Sequence, residues 1–295
     1  MKEDQLKQKL SLIYARSPVI EMQESDKTVV FSDLHMGGGG IGDDFLSTSD
    51  QFTRILDRYY HDRGYNLVLN GDVEDLYKFK LRSIVERWKE VYDLFRRFME
   101  ETSMFKLVGN HDWNVHMNLP RFFHMKHHQA LRIKVGGAAL FLLHGHQASP
   151  YIDRFANLSK AIARNVAKPM GIRNTSLKIT KDYISPLERR LSEFSLANKV
   201  LSFMGHTHKP HFGYFSKIPG VFNSGCSMGR KGISALEIER GKVSLVHWVD
   251  SKLSRIYGKL GDLNPFQAKG TGSFRIVLDS ASINSIIRSV NLQST

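Results

Sequence analysis

The sequence predicts an α/β fold of two packed mixed β-sheets flanked by helices, with a helical cap insertion. Three observations predict it. Five short, largely apolar runs read as buried strands: Val29-Val30-Phe31, Leu67-Val68-Leu69, Phe105-Lys106-Leu107-Val108, Leu140-Phe141-Leu142-Leu143 and Leu201-Ser202-Phe203-Met204. Segments with apolar residues at helical spacing lie between them. Two further strand-like runs, Ile233 to Ile238 and Val243 to Trp248, are assigned to completing the second sheet. A chain of 295 residues that is 41% hydrophobic can bury a substantial core. The expected organisation is one main domain over residues 1–250, followed by a C-terminal appendage over 251–295.

Taken in order, residues 1–13 suit a short amphipathic helix ahead of the first strand. Gly37 to Gly40 follow that strand, and four glycines permit backbone conformations barred to other residues and let a ligand come close. Asp43 and Asp44 come next. Capping a helix that begins near Phe52 is their expected role, with binding of a hydroxyl or basic group as the alternative. Residues 82–101 alternate apolar and charged positions at helical spacing and should cover the sheet.

The insertion at 149–198 is longer than a simple crossover helix. Ile152, Phe155, Ala156, Ser159, Ile162, Ala163 and Val166 share a helical face, while Lys160, Arg164 and Lys168 lie off it. Pro169 and Gly171 break the pattern, and a second helical pattern starts after Pro186. Both ends attach beside polar loops, so the pair is expected either as a cap over them or as helices packed on the body.

Each of the five apolar runs ends in a polar motif: Asp33-Leu34-His35, Gly71-Asp72, Gly109-Asn110-His111-Asp112, His144-Gly145-His146 and Gly205-His206-Thr207-His208. In open α/β sheets, sites collect beyond the carboxyl ends of the strands, so these distant residues can converge. Asp33 and His35 are two apart, a spacing that at an extended strand end points both to one side, and His206 and His208 repeat it. Carboxylate, amide and imidazole groups in this set suit two divalent ions about 3.5–4 Å apart, arranged for in-line displacement at phosphorus. Such mixed ligands fit manganese, iron or zinc better than magnesium or calcium. Manganese is the favoured choice. His116, His124, His127 and His128 lack this strand context and read as surface or substrate-side residues.

Lysine and arginine number 42 against 29 acids, a formal charge of +13. Such a surface attracts anions: a phosphorylated substrate first, then an anionic membrane surface or nucleic acid. Cys226 is the single cysteine, which excludes an internal disulfide and suits a reducing compartment. Residues 1–8 are charged, and no stretch approaches about 18 consecutive apolar residues. The expectation is a cytoplasmic protein, at most peripheral to the inner face of a membrane.

The ordered set DLH, GDVED, GNHD, HGH and GHTH resembles the calcineurin-like metallophosphoesterases, over roughly residues 28 to 248. The resemblance implies an αββα sandwich and the hydrolysis of a phosphate ester or pyrophosphate by a metal-bridging hydroxide. It implies one ion held by Asp33, His35 and His208 and a second by Asn110, His144 and His206, with Asp72 bridging both. His111 would contact the scissile phosphate without binding metal, and would stabilise the charge that develops or give a proton to the leaving group. Asp75 would orient His111, and Asp112 would accept backbone hydrogen bonds in its turn. The helical insertion after HG and the sequence GHTHKP are similar to UDP-2,3-diacylglucosamine pyrophosphatases, which implies a nucleotide-linked or lipid-linked substrate. That subfamily carries arginine at the position of His111 and glutamate at that of Asp75, so phosphomonoesters and nucleic-acid diesters stay open. A nuclease or phosphoprotein phosphatase is the alternative, and a non-catalytic scaffold is disfavoured by the complete motif set.

Overall fold

The computed structural model describes residues 3–113, 126–149, 184–229, 232–259 and 264–293. The helix expected over 152–166, its break at Pro169 and Gly171, and His116 and His124 lie outside these residues. Among the described residues the fold is an α/β sandwich of two mixed sheets with helices on both outer faces.

The larger sheet contains β2 (Lys27–Phe31), β3 (Asn66–Asn70), β4 (Met104–Leu107) and β5 (His127–His128), paired in parallel in that order. On the other side of β2 it continues antiparallel through β10 (Ile233–Glu239), β11 (Lys242–Val249), β13 (Ser273–Ser282) and β12 (Phe266–Ala268). The smaller sheet runs β1 (Val19–Glu21), β6 (Ala130–Val135), β7 (Ala138–Leu143), β8 (Leu201–Met204) and β9 (Val221–Asn223). The runs at 233–238 and 243–248 therefore extend the sheet of β2 and do not complete the second one. Leu236 registers opposite Val30, so β10 pairs along the side of β2 that β3 leaves open. Residues beyond 251 join the same body: β13 pairs along the whole of β11, and α6 (Ile283–Gln293) packs Ile283, Ile286 and Val290 into the core.

The central strands β2, β3, β7 and β8 are largely apolar because both faces are covered. Val30, Val68 and Leu107 face the other sheet and meet Leu140, Leu142, Phe203 and Phe222. Their neighbours Val29, Phe31, Leu67 and Leu69 face outward against α2 (Ser49–Ile55), α3 (Leu81–Arg87) and α4 (Lys89–Glu101), through Phe52, Ile84, Val91 and Phe95. The helix expected over 82–101 is thus two helices. The break falls at Trp88 (φ −108°, ψ 33°), whose indole donates to Gly37 O at 2.8 Å and anchors the glycine loop.

On the far side, α1 (Glu3–Arg16) and α5 (Pro186–Asn198) cover Phe141 and Leu143 with Leu10, Leu191 and Phe194. Helix α5 opens with a capping box, Ser185 Oγ accepting from Glu188 N and Glu188 accepting from Ser185 N. This described end of the insertion packs on the body as a covering layer. Among the described residues, no helix is long and apolar enough to cross a membrane.

Asp43 and Asp44 do not cap α2, whose N-terminal residue Thr48 makes no side-chain cap. Asp43 instead accepts from Gly37 N (3.0 Å), Gly39 N (2.7 Å) and Phe45 N (3.1 Å), closing the glycine loop on itself. Asp44 pairs with Lys78 at 2.7 Å.

Candidate metal centre

The five polar motifs leave the carboxyl ends of β2, β3 and β4 in one sheet and β7 and β8 in the other, so the loops meet across the sandwich. Asp33, His35, Asp72, His206 and His208 all have left-handed backbone, with φ of 54°, 50°, 53°, 67° and 57°. The extended geometry expected for Asp33 and His35 is therefore not adopted. Left-handed non-glycine residues cost about 1–3 kcal/mol each and persist where the surroundings over-determine them. Here the first two loops zip together: Asp33 N donates to Gly71 O (3.1 Å), His35 N to Asp72 O (3.0 Å) and Met36 N to Val73 O (2.8 Å).

Asp33 Oδ2 accepts from Ser32 Oγ (2.5 Å) and His206 N (3.0 Å), which leaves Oδ1 aimed at His208 Nε2, 2.9 Å away. Asp72 Oδ1 accepts from His111 N (2.8 Å), and its Oδ2 faces His144 Nε2 at 3.2 Å and His35 Nε2 at 3.8 Å. His144 Nδ1 is held by Asn70 O at 2.8 Å, which turns Nε2 inward. Two ligand groups result, Asp33/His35/His208 and Asp72/His144/His206, each with candidate ligand atoms within 4.8 Å of one another. A Cβ on Gly109 would collide with Asp72, and one on Gly205 with Asp33, so glycine is required at both close approaches.

These residues fit divalent cations. Asn110 Oδ1 is buried without a hydrogen-bond partner, and Asp33 Oδ1 and His144 Nε2, although close to His208 and Asp72, make no well-formed hydrogen bond to them, a costly condition for polar atoms unless another group satisfies them. His35 Nε2 and His208 Nε2 face each other at 3.3 Å, close to the separation of two nitrogens sharing one cation at about 2.0–2.1 Å each. Asp57, His61 and Asp62 form another group, on the helical turns that continue α2. There Arg97 already engages Asp57 (2.7 Å) and His61 (3.1 Å).

His111 Nδ1 lies 2.9 Å from Asp75 Oδ1, and its ring stands edge-on to His35 with centroids 4.6 Å apart. His111 is half-buried, whereas Asp75 is fully buried. Asp112 accepts from Gly109 N (2.5 Å) and Val73 N (2.9 Å), the structural role expected of it. His127 and His128 form the short strand β5 beside β4.

Several supporting residues carry no motif in the sequence. Lys78 is buried and bridges Asp44 (2.7 Å) and Asp75 (3.2 Å). Lys106, read only as part of an apolar run, is buried between Glu74 and Asp112, while Tyr92 OH donates to Glu74 at 2.8 Å. The sole sequence signal is a lysine inside an otherwise apolar strand, which demands a buried partner.

Burial alone would raise the carboxylate pKa values, but neighbouring imidazoles win. His208 and His144 hold Asp33 well below the usual carboxylate range, and His144 and His111 do the same for Asp72. Conversely, burial would lower His144, yet Asp72 and Asp33 push it up to about 10. Burial and the charge of His144 drive His206 down to about 3. His111 is raised against its burial by Asp72 and Asp75. A pair of carboxylates ionised throughout neutral pH therefore faces a set of imidazoles, one of which holds a proton a cation would have to displace.

No protein-family model matches the chain, and no curated protein matches it. Solved structures similar to it include the following three. A conserved uncharacterized protein described as a predicted phosphoesterase, from Streptococcus pneumoniae, is 15% identical, with 75% of this chain and 88% of that chain covered and a TM-score of 0.36. Vacuolar Protein Sorting 29 from Cryptosporidium parvum is 14% identical, covering 87% of this chain and 98% of its own, with a TM-score of 0.47. A protein of unknown function from Aquifex aeolicus is 12% identical over 65% of this chain and 82% of its own, with a TM-score of 0.31.

Proposed function

We propose that this protein hydrolyses a phosphate ester with the help of two divalent cations, one held by Asp33, His35 and His208 and the other by Asn110, His144 and His206, with Asp72 shared. One observation carries the reading. The two ligand groups interlock, because Asp72 Oδ2 lies 3.8 Å from His35 and Asp33 Oδ1 lies 3.9 Å from His144, so each carboxylate reaches a histidine of the other group. Cations bound there supply Lewis-acid stabilisation of phosphoryl oxygens.

The chain's own residues do the rest. Asp75 fixes the Nδ1 edge of His111, and Asp72 and Asp75 together favour its protonated form against the burial of the ring. His111 then donates a proton to the leaving oxygen. Overall, one water is consumed: its oxygen bonds to phosphorus, the ester P–O bond breaks, and the leaving oxygen gains a proton. The test is a panel assay of purified protein with Mn²⁺, comparing p-nitrophenyl phosphate, bis-p-nitrophenyl phosphate and a polynucleotide, alongside metal analysis. Hydrolysis that requires about two bound ions per chain supports the reading. Full activity in metal-stripped protein overturns it.

A further inference from the structure

We propose that Tyr77 is a positioning residue that clamps the His111 ring for proton donation, and that the site so built favours esters whose leaving oxygen belongs to an aliphatic alcohol. This assignment rests on the phosphoesterase reading above and names the class of ester it serves. The turn that follows Asp72 carries both parts of the clamp. Lys78 N and Phe79 N each donate to Asp75 O, at 3.2 and 3.0 Å, so the turn closes on itself and presents Asp75 and Tyr77 together. Asp75 takes the Nδ1 edge of His111 at 2.9 Å. Tyr77 is buried and lies against the face of the same ring, with centroids 4.1 Å apart and planes inclined by 31°. His35 meets the ring edge-on, at 88°. A single hydrogen bond would let the imidazole rock about its axis, whereas a stacked face and a third ring at right angles oppose that motion. The His111 side chain is 15% exposed, and Nε2 is the nitrogen left to meet a substrate oxygen.

Tyr77 also reaches a candidate metal ligand. Its hydroxyl is hydrogen-bonded to the Asn110 side chain, and because Asn110 Oδ1 is buried with no partner, the amide nitrogen is the donor. That bond sets which way the amide faces and leaves its oxygen for a cation.

Precise placement of a proton donor matters where the leaving oxygen needs a proton. In the hydrolysis, the water oxygen bonds to phosphorus and the ester P–O bond breaks with its electron pair staying on the leaving oxygen, which takes the proton from His111 Nε2. The proton released by the water passes to solvent, from which His111 regains one. An aliphatic alcohol is about as weak an acid as water, which ionises at about 15.7. Phenols ionise at about 10 and a departing phosphate at about 6, so both can leave with little help. The clamp therefore contributes most to alkyl esters and least to anhydrides.

The test compares leaving groups in matched pairs on the Mn²⁺-loaded full chain: p-nitrophenyl phosphate against β-glycerophosphate, and bis-p-nitrophenyl phosphate against dithymidine monophosphate, with inorganic pyrophosphate beside them. In the native chain, kcat/KM for the alkyl ester of the pair that is turned over is expected within about tenfold of its nitrophenyl partner, the acid offsetting the poorer leaving group, and above that for pyrophosphate. Tyr77→Leu removes the ring and should lower the alkyl-to-nitrophenyl ratio at least about tenfold, the scale on which misplacing a reacting group acts. Tyr77→Phe keeps the stacked face and should preserve the ratio, even where the lost hydrogen bond to Asn110 weakens metal binding and lowers both rates. Because each ratio is internal to one sample, partial unfolding does not move it. A second readout needs no turnover: with ¹³C-labelled histidine and diamagnetic Zn²⁺, the His111 ring protons should be shifted upfield in the native chain and in Tyr77→Phe, and lose that shift in Tyr77→Leu. If no ester is hydrolysed, the phosphoesterase reading falls with the leaving-group preference, and the histidine spectrum decides the clamp by itself. If esters are hydrolysed but the alkyl partner falls further behind, pyrophosphate is preferred, or Tyr77→Leu leaves the ratio unchanged, the assignment to Tyr77 and alkyl esters is overturned while the phosphoesterase reading stands.

Discussion

His111 meets Asp75 through Nδ1 at 2.9 Å, while the other oxygen of that carboxylate faces Lys78 at 3.2 Å. One buried acid thus links a largely buried imidazole to a buried cation, and through Lys78 to Asp44 beside the glycine loop. If His111 acts as the proton donor, His111→Ala should lower kcat by about 10²–10⁴-fold while both ions remain bound. Metal analysis of the variant beside steady-state rates with bis-p-nitrophenyl phosphate checks this. Normal turnover in His111→Ala would remove the residue from the mechanism.

Asp72 is placed to be shared, so Asp72→Asn should bring hydrolysis to background and reduce the bound metal. Inductively coupled plasma analysis reads the second effect independently of the first. A variant that keeps both metal and rate would contradict the assignment.

Gly109→Ala drives a methyl group into Asp72. Overpacking of this kind costs about 1–3 kcal/mol, and the shifted carboxylate should depress activity further than the loss of stability explains. Urea midpoints compared with residual rates separate the two effects.

Lys106 neutralises Glu74 and Asp112 in a buried group. Lys106→Met leaves those carboxylates without their cation, and breaking such a pair from one side costs about 3–5 kcal/mol. Far-UV circular dichroism during urea unfolding should show an earlier midpoint. An unchanged midpoint would mean the network is not buried as described.

The Asp75 pKa is lowered from 3.8: burial opposes ionisation, but His111 and Lys78 outweigh it. A depressed carboxylate pKa contributes stability that is present above the unfolded value and lost as pH falls toward the folded one. Metal-stripped native protein should therefore lose stability as the pH drops below about 4, and Asp75→Asn should show a shallower dependence over the same window. Chemical denaturation between neutral pH and pH 3 measures both slopes.

The sequence made the motif strands and their order readable because Val29 to Phe31 or Leu67 to Leu69 cannot sit anywhere but inside, and each run ends abruptly in a polar motif. It also exposed the turn role of Asp112. The partners of the 233–248 hairpin were not readable, since alternation says that a strand has a buried face but not which sheet edge it joins; Leu236 against Val30 is a long-range choice. Nor was the helix break at Trp88, which depends on an indole reaching back to Gly37. Lys78 and Glu74 were missed for a related reason. Each lies beside a recognised motif, but its meaning comes from partners far away in the chain: Asp44 for one, Lys106 for the other.

Five candidate ligands sit on left-handed backbone that glycine would occupy with far less strain. Substituting glycine at any of them would relax the main chain and delete the very side chain that grips the cation. A laboratory selection for heat tolerance alone would thus drift toward a sturdier, inert protein. Selections that demand turnover at every round should leave those five positions alone and harvest their gains from the helices and outer strands.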